Sequence, residues 1–574
     1  MTKLTRRGLL GGTAAAALVA CGQKDGEIIT ERPTARTDTR APYDGTVAFN
    51  HGIASGDPLQ SSVIIWTRVT PLTGNGGPIP VAYGVFEDEA REKPIIFGLA
   101  TADKSRDYTV KVDLEGLKPG REYWYRFEAK DSTGTVGSVL GRTKTLPPSD
   151  HDGEVRFAFV SCSNWPFGYF NAYRELGMRR DLDCIIHLGD YIYEYGIDGY
   201  GGETGAKIGR EHDPLTETVT LADYRTRHAQ YKSDEMLQAA HASAPWLCTW
   251  DDHESTNNSY RNGAQNHNPE DNEGDWTDRK QVAVQAYLEW MPVRAPEAGR
   301  ARESIYRRFD FGRTASIFCL ESRLTGRSDE ISWFTELGGK EAAEIPMAAA
   351  MTMTKVQDES RTMLGNVQEK WLADGLKSSV RNGVKWQVLA NQVIMAKVKP
   401  PALWRTLTPE QIDMQTGYAR QLVDFSQLGL PWNLDAWDGF PAARERLYAA
   451  AKSAGARLVT LTGDTHTSWA NTLYDAGGEK RGVEFGCTSV TSPGFGTYMV
   501  GVPDLGQQFA EANKEVEWYR PEGHGYTLVR LTPETVEAEW IEVSDILSAD
   551  YETSRIKGFR VAADGRSMGT LEEV

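Results

Sequence analysis

Cys184-Ile185-Ile186-His187-Leu188-Gly189-Asp190-Tyr191-Ile192-Tyr193-Glu194-Tyr195 begins as a short apolar run and breaks, at a glycine, into polar and aromatic residues. A short apolar run without helical period reads as a buried strand. In an α/β fold, side chains beyond the carboxyl ends of neighbouring strands converge on one crevice. The same signature recurs along the chain. Val155–Ser161 leads into Cys162-Ser163-Asn164, and Trp246–Thr249 into Trp250-Asp251-Asp252-His253-Glu254. Trp386–Ala390 leads into Asn391-Gln392, and Arg457–Thr462 into Gly463-Asp464-Thr465-His466. A sixth run, Ala315–Leu320, precedes Glu321-Ser322-Arg323. Helical stretches such as Asn366–Val380 and Pro441–Ala454 intervene, and this rhythm predicts an α/β domain over residues 154–545. An Asp after Gly is often only a turn or helix cap. Five polar strand endings together point to a site.

Working outward, Thr145-Leu146-Pro147-Pro148-Ser149-Asp150 marks a boundary, and residues 44–147 before it read as all-β. Tyr123, Tyr125 and Phe127 alternate with Trp124 and Arg126, the period of a strand. Leu117, Pro119, Tyr123 and Tyr125 resemble the tyrosine corner of a fibronectin type III sandwich. This domain carries no cluster of His, Asp or Cys and is expected to pack and space. Residues 546–574 are polar and are expected to form a surface tail.

The chain has 574 residues with a net charge of −17, 25% charged residues and six Cys. That acidity excludes nucleic-acid binding by charge alone, which needs a basic face. Six Cys are too few for a disulfide scaffold. Cys184, Cys248 and Cys319 lie within apolar runs and read as core thiols. Cys487 is ambiguous. At the N-terminus, Arg6-Arg7 precede a short, weakly apolar run, Gly8–Ala20, which resembles a twin-arginine signal over residues 1–21. Leu18-Val19-Ala20-Cys21 resembles a lipoprotein box with Cys21 lipidated; plain cleavage beside an unmodified Cys21 is the alternative. Residues 22–43 read as a flexible tether. The expectation is an exported protein, handled by the twin-arginine machinery, that is periplasmic, cell-surface or secreted and anchored through Cys21 if the lipid is present.

The donor types at the strand ends suggest metals. Asp, Asn and backbone oxygens suit hard cations such as Ca2+. Thiolate and phenolate suit a more Lewis-acidic transition metal. Cys162 and Tyr193 are the soft and phenolic donors there, suited to Fe3+ beside calcium. A closed zinc site would show four Cys or His ligands.

Together, Ser161-Cys162, Gly189-Asp190-Tyr191-Ile192-Tyr193-Glu194, Asp251-Asp252-His253-Glu254, Asn391-Gln392 and Gly463-Asp464-Thr465-His466 resemble the motif set of PhoD-like alkaline phosphatases and phosphodiesterases, a branch of the metallophosphoesterases. His51-Gly52-Ile53-Ala54-Ser55-Gly56-Asp57-Pro58 resembles the start of that family's N-terminal β domain. The resemblance implies an α/β fold class: a fibronectin III-like sandwich followed by a large metallophosphoesterase-type domain. It implies Fe3+ and two Ca2+. Cys162 and Tyr193 would hold iron, Asp190 would bridge metals, and Asp252, Asn391 and Asp464 would supply oxygens, with Asp251 an alternative to Asp252. His253 would act at the leaving group and His466 would bind metal or phosphate. Arg323 is a candidate phosphate clamp, with a salt bridge the equal alternative. His524 is a weaker candidate for lining the pocket.

The expected reaction is attack of a metal-bound hydroxide on small phosphate esters. The rival is covalent catalysis by Ser161, which has no His base beside it in sequence. Mono- and diester work are not separable from these motifs, so a phospholipase D-like enzyme stays open. A non-catalytic envelope adhesin is the alternative from another class.

Overall fold

All six apolar runs are strands in the computed structural model, which describes residues 40–90, 93–565 and 567–574. The signal segment 1–21 and tether residues 22–39 lie outside the described residues. Strands Val155–Val160, Cys184–His187 and Trp246–Cys248 run parallel within a ten-stranded sheet. Strands Ala315–Cys319, Trp386–Ala390 and Leu458–Thr462 run parallel within a separate seven-stranded sheet. The two sheets pack face to face. Phe157, Phe159, Ile186 and Leu247 of the first share a core with Ile317, Val388, Leu461 and Phe485 of the second. Helices cover both outer faces. Asn171–Met178, Leu221–Lys232, Glu235–Ser243 and Trp276–Trp290 lie on the first, and Gly365–Arg381, Pro441–Ala454 and Leu505–Ala512 on the second. Each central strand is therefore covered on both sides, which is why it reads as an unbroken apolar run.

The N-terminal domain is a sandwich of two sheets. Ile53–Gly56, Ser62–Arg68 and Thr109–Glu115 form one layer, and Gly141–Lys144, Glu122–Asp131, Ile79–Phe86 and Ile96–Ala102 the other. The tyrosine corner is present: Lys118 N donates to the Tyr123 hydroxyl at 2.9 Å. Its first layer continues into the ten-stranded sheet, where Gly56 pairs with Trp246. Side chains reinforce that junction. Arg307 donates to both Asp57 oxygens at 2.8 and 2.7 Å and to the Cys248 carbonyl at 2.7 Å. Trp66 Nε1 donates to Glu289 O at 2.8 Å.

Two expectations need correction. Residues 546–574 are not a surface tail: Thr553–Asp564 and Ser567–Glu573 extend the ten-stranded sheet, burying Phe559 and Val561. Their polar composition is that of antiparallel strands with one face in water. At the tether's other end, Tyr43 is buried in the sandwich core and its N–H donates to Lys130 O at 2.8 Å, so ordered structure begins before residue 44. Among the described residues, no helix is long and apolar enough to cross a membrane.

Candidate metal centre

The ends of the parallel strands of both sheets meet. Gly463 makes this possible: a Cβ there would lie 2.5 Å from Ser161 Oγ. Gly189 plays the same part within one sheet, since its Cβ would lie 2.3 Å from Asp251 N and its φ is +111°. Cys162, Asp190, Asp464 and His466 have left-handed backbone, with φ between 56° and 62°. Such conformations cost of order 1–2 kcal/mol per non-Gly residue and persist where surrounding structure imposes them. Four of the candidate site positions are held this way.

These loops assemble three groups of donors: Cys162, Asp190 and His466; Asp190, Asp252 and His253; and Asp251, Asp252 and Asp464. Within each group the donor atoms lie within 4.8 Å of one another. Asp190 is shared by the first two and Asp252 by the last two. Tyr193 joins the first group, its hydroxyl donating to Asp190 Oδ2 at 2.9 Å and accepting from Ser492 Oγ at 2.8 Å. His466 donates from Nδ1 to the Pro493 carbonyl at 3.1 Å, which turns its Nε2 lone pair toward Tyr193 Oη at 3.3 Å. Burial pulls His466 down to about 4, so the imidazole is neutral and competent as a ligand. Asn391 lies at its strand end, its Oδ1 accepting from Trp437 Nε1 at 3.2 Å, while the next carbonyl, Gln392 O, accepts from Gly463 N at 2.7 Å.

The donor set fits cations. Among the described residues, Asp190 Oδ1 and Asp252 Oδ1 are buried without a hydrogen-bond donor. Orphaned buried acceptors are costly unless something absent from the polypeptide satisfies them. Burial, with nearby Asp252, Asp251 and Glu254, drives Asp190 well above the usual carboxylate range despite His253. Burial followed by Asp251 does the same to Asp464. Asp251 is pushed up to about 6, mainly by burial. At Asp252 burial is outweighed by Arg323 and His253, so it stays below the usual range. Burial and Asp190 keep the Cys162 thiol well above its ordinary value. A cation offsets the penalties at Asp190, Asp251, Asp464 and Cys162.

His253 forms a second element of the cluster. Its Nδ1 lies 2.6 Å from Glu194 Oε2, and its ring stacks on Tyr193 with centroids 4.2 Å apart. Burial opposes its charge, but Glu194, Asp252 and Asp190 outweigh burial and hold His253 well above its ordinary value. Thr256 Oγ1, Asn257 N and Asn266 Nδ2 bind the other Glu194 oxygen at 2.8–3.0 Å. Arg323 is fully buried, with its fork on carboxylates: Asp251 at 2.5 Å, Asp435 at 2.7 Å and Asp464 at 3.5 Å. It stands as a counter-ion inside the acidic cluster. The Ser161 hydroxyl lies 3.1 Å from the Cys162 thiol and 3.4 Å from that of Cys487, neither of which is a general base here. His524 pairs with Ser489 Oγ at 3.1 Å. Cys184, Cys248, Cys319 and Cys487 are buried free thiols.

Three supporting residues escaped sequence reasoning. Glu254 accepts from Asp190 N, Tyr191 N and Asp251 N at 3.1, 2.7 and 2.8 Å, tying together the two loops that carry the shared carboxylates. Glu194 orients His253. Both glutamates stand inside the quoted motifs, so their position was visible while their partners were not. Asp435, which bonds Arg323 and Arg327, sits in a loop without any motif.

A model of PhoD-like phosphatases matches residues 157–540, and a model of the N-terminal domain of PhoD-like phosphatases matches residues 34–147. Alkaline phosphatase D of Bacillus subtilis (strain 168) is 36% identical over 515 residues, covering 87% of this chain and 78% of that protein. The solved structure of PhoD is 32% identical with a TM-score of 0.74, covering 94% of this chain and 93% of that one. A purple acid phosphatase from yellow lupin (Lupinus luteus) seeds shares the fold at a TM-score of 0.51 and 13% identity, over 90% of this chain and 74% of that one.

Proposed function

The chain belongs to the PhoD-like phosphatase family, and from that premise we propose that this phosphoric ester hydrolase is an exported enzyme cleaving phosphomonoesters, and phosphodiesters at the same site, with Fe3+ and two Ca2+. The observation that carries the reading is the linkage of three donor groups through Asp190 and Asp252. Cys162, Tyr193 and Asp190 would hold iron, since thiolate and phenolate favour it. Asp252, Asn391 and Asp464 would hold calcium through hard oxygens. When bound, the cations supply Lewis acidity and neutralise charge on the phosphoryl oxygens. The polypeptide does the rest. His253, kept cationic by Glu194, donates a proton to the departing alkoxide oxygen. Arg323 stays paired with Asp251 and Asp435 and balances the carboxylates around the phosphoryl group.

The test is turnover of p-nitrophenyl phosphate and bis(p-nitrophenyl) phosphate by the full chain, before and after calcium chelation. Loss of both activities, restored by added Ca2+, is expected. Full activity with calcium shown absent would overturn the calcium assignment.

Export through the twin-arginine machinery and a lipid at Cys21 complete the proposal, since that route carries folded cargo. Cys21→Ala is expected to release the protein from the membrane fraction with catalysis intact. Unchanged membrane association would show that Cys21 carries no anchor.

A further inference from the structure

Beside His253 and the candidate iron ligand Tyr193 the molecule builds a set of aromatic rings, Phe167, Tyr195, Tyr200 and Tyr498, that the reaction described above does not use. Tyr200 is its hub. The Tyr200 ring lies 4.8 Å from Phe167, 5.9 Å from Tyr195 and 6.4 Å from Tyr193, centroid to centroid. Tyr193 and Tyr195 in turn lie 4.2 and 5.5 Å from His253. Tyr498 joins the set, its hydroxyl donating to Tyr200 Oη at 3.4 Å.

Several features separate this set from core packing. Tyr195 and Tyr200 are half-buried, and Tyr498 is 43% exposed. Ring by ring the contacts lead from the buried Tyr193 through the half-buried Tyr200 to the exposed Tyr498. Tyr200 is presented by a tightly wound turn. Gly201 has φ +92° and its Cβ would sit 2.9 Å from Phe167 Cε2, while a Cβ on Gly202 would sit 1.8 Å from Ile197 O. Glycines at these two positions let the backbone turn tightly after Tyr200, whose ring is held by its contacts with Phe167, Tyr193 and Tyr195.

The place of the set matters. His253 shares a donor group with Asp190 and Asp252 and contacts both Tyr193 and Tyr195, so an ester held at that group has these rings beside it on the His253 side. Flat π faces favour planar rings by stacking, whatever the ring's hydrogen-bonding pattern. We propose that Tyr200 and Tyr498, with Tyr195 and Phe167, form a subsite that selects phosphate esters whose alcohol portion carries a planar aromatic ring. This inference rests on the phosphatase reading and on His253 facing the leaving group.

Adenosine 5′-monophosphate and ribose 5-phosphate share the same primary alkoxide leaving group and differ in the ring. The experiment measures kcat/KM for both with the full chain loaded with iron and calcium, in wild type and in Tyr498→Ala, Tyr200→Ala and Tyr200→Phe. In wild type the ring-bearing ester should be preferred by about tenfold, the scale of one stacked base. Tyr498→Ala and Tyr200→Ala should each lower that ratio at least about threefold, mainly through KM, while Tyr200→Phe keeps it because the ring face remains. Tyr498 is exposed, so its variant keeps the test open if Tyr200→Ala fails to fold. A ratio near one in wild type, or one unchanged in Tyr498→Ala, would overturn the subsite. Hydrolysis of neither ester would instead overturn the reading on which it rests.

Discussion

Glu194 Oε2 lies 2.6 Å from His253 Nδ1, both side chains are buried, and His253 stacks on the candidate iron ligand Tyr193. The carboxylate fixes the imidazole's orientation and keeps its proton. That proton matters most where the departing alkoxide is a strong base. Glu194→Gln should therefore lower kcat about 100-fold for alkyl esters, within the usual range for a general acid, and far less for p-nitrophenyl esters. The check is the leaving-group dependence of kcat. Equal losses across the series would mean that Glu194 only supports the fold.

Tyr193 and Cys162 carry the iron assignment. Phenolate and thiolate donors on Fe3+ should give a visible charge-transfer band. Tyr193→Phe should remove the phenolate contribution, and Cys162→Ser should weaken iron retention. Neither change removes much apolar volume, so any fall in Tm should follow the iron lost and not a loss of packing. Iron stoichiometry and absorption spectra of wild type and both variants decide it; a colourless, iron-free but fully active wild type contradicts it.

The junction between the sandwich and the catalytic domain should be energetically strong. Asp57 is buried at φ 45°, and both its oxygens are held by Arg307. Asp57→Asn keeps the backbone tolerable but strands a largely buried guanidinium, costing about 3 kcal/mol. Thermal melting of the full chain should show the loss. An unchanged Tm would return the sandwich to the role of a loosely attached spacer.

Lys232 gives a pH dependence away from the metal centre. Its Nζ donates to Tyr191 Oη and approaches His241 Nε2, each at 3.1 Å, and burial lowers its pKa to about 7. An unfolded lysine titrates near ~10.4. Between those values the unfolded chain binds the extra proton, so this group's contribution to stability rises with pH. Below the folded value the full penalty of a buried charge is present; above the unfolded value none of it is. Lys232→Met should thus raise Tm by a few degrees at about pH 7, and the gain should fade toward about pH 10. A gain that grows with pH would contradict the assignment.

The strands were legible because each is buried on both faces, and the candidate donors could be named because each follows a strand. The split into two sheets was not. Val155–Val160 and Leu458–Thr462 are both short apolar runs, and nothing in either says which neighbour it pairs with. The C-terminal strands escaped because one face of this antiparallel end of the sheet is wet, so Phe559 and Val561 stand among charged residues. In the site, single residues could be named, but pairings across long separations could not. Glu194 meets His253 across 59 positions, and Arg323 meets Asp435 across 112. The ion pair with Asp251 and Asp435 is what distinguishes a counter-ion from a free phosphate clamp at Arg323, and it exists only in three dimensions.

The central claim is that the donor groups form one linked metal centre, with Asp190 common to two of them. Metal content per chain, measured for wild type and Asp190→Asn purified from an iron-replete exporting host, tests it most directly. The account predicts iron and calcium in wild type, and in the variant a loss of both metals together with phosphatase activity. An Asp190→Asn protein that keeps its full metal complement and its turnover would contradict it.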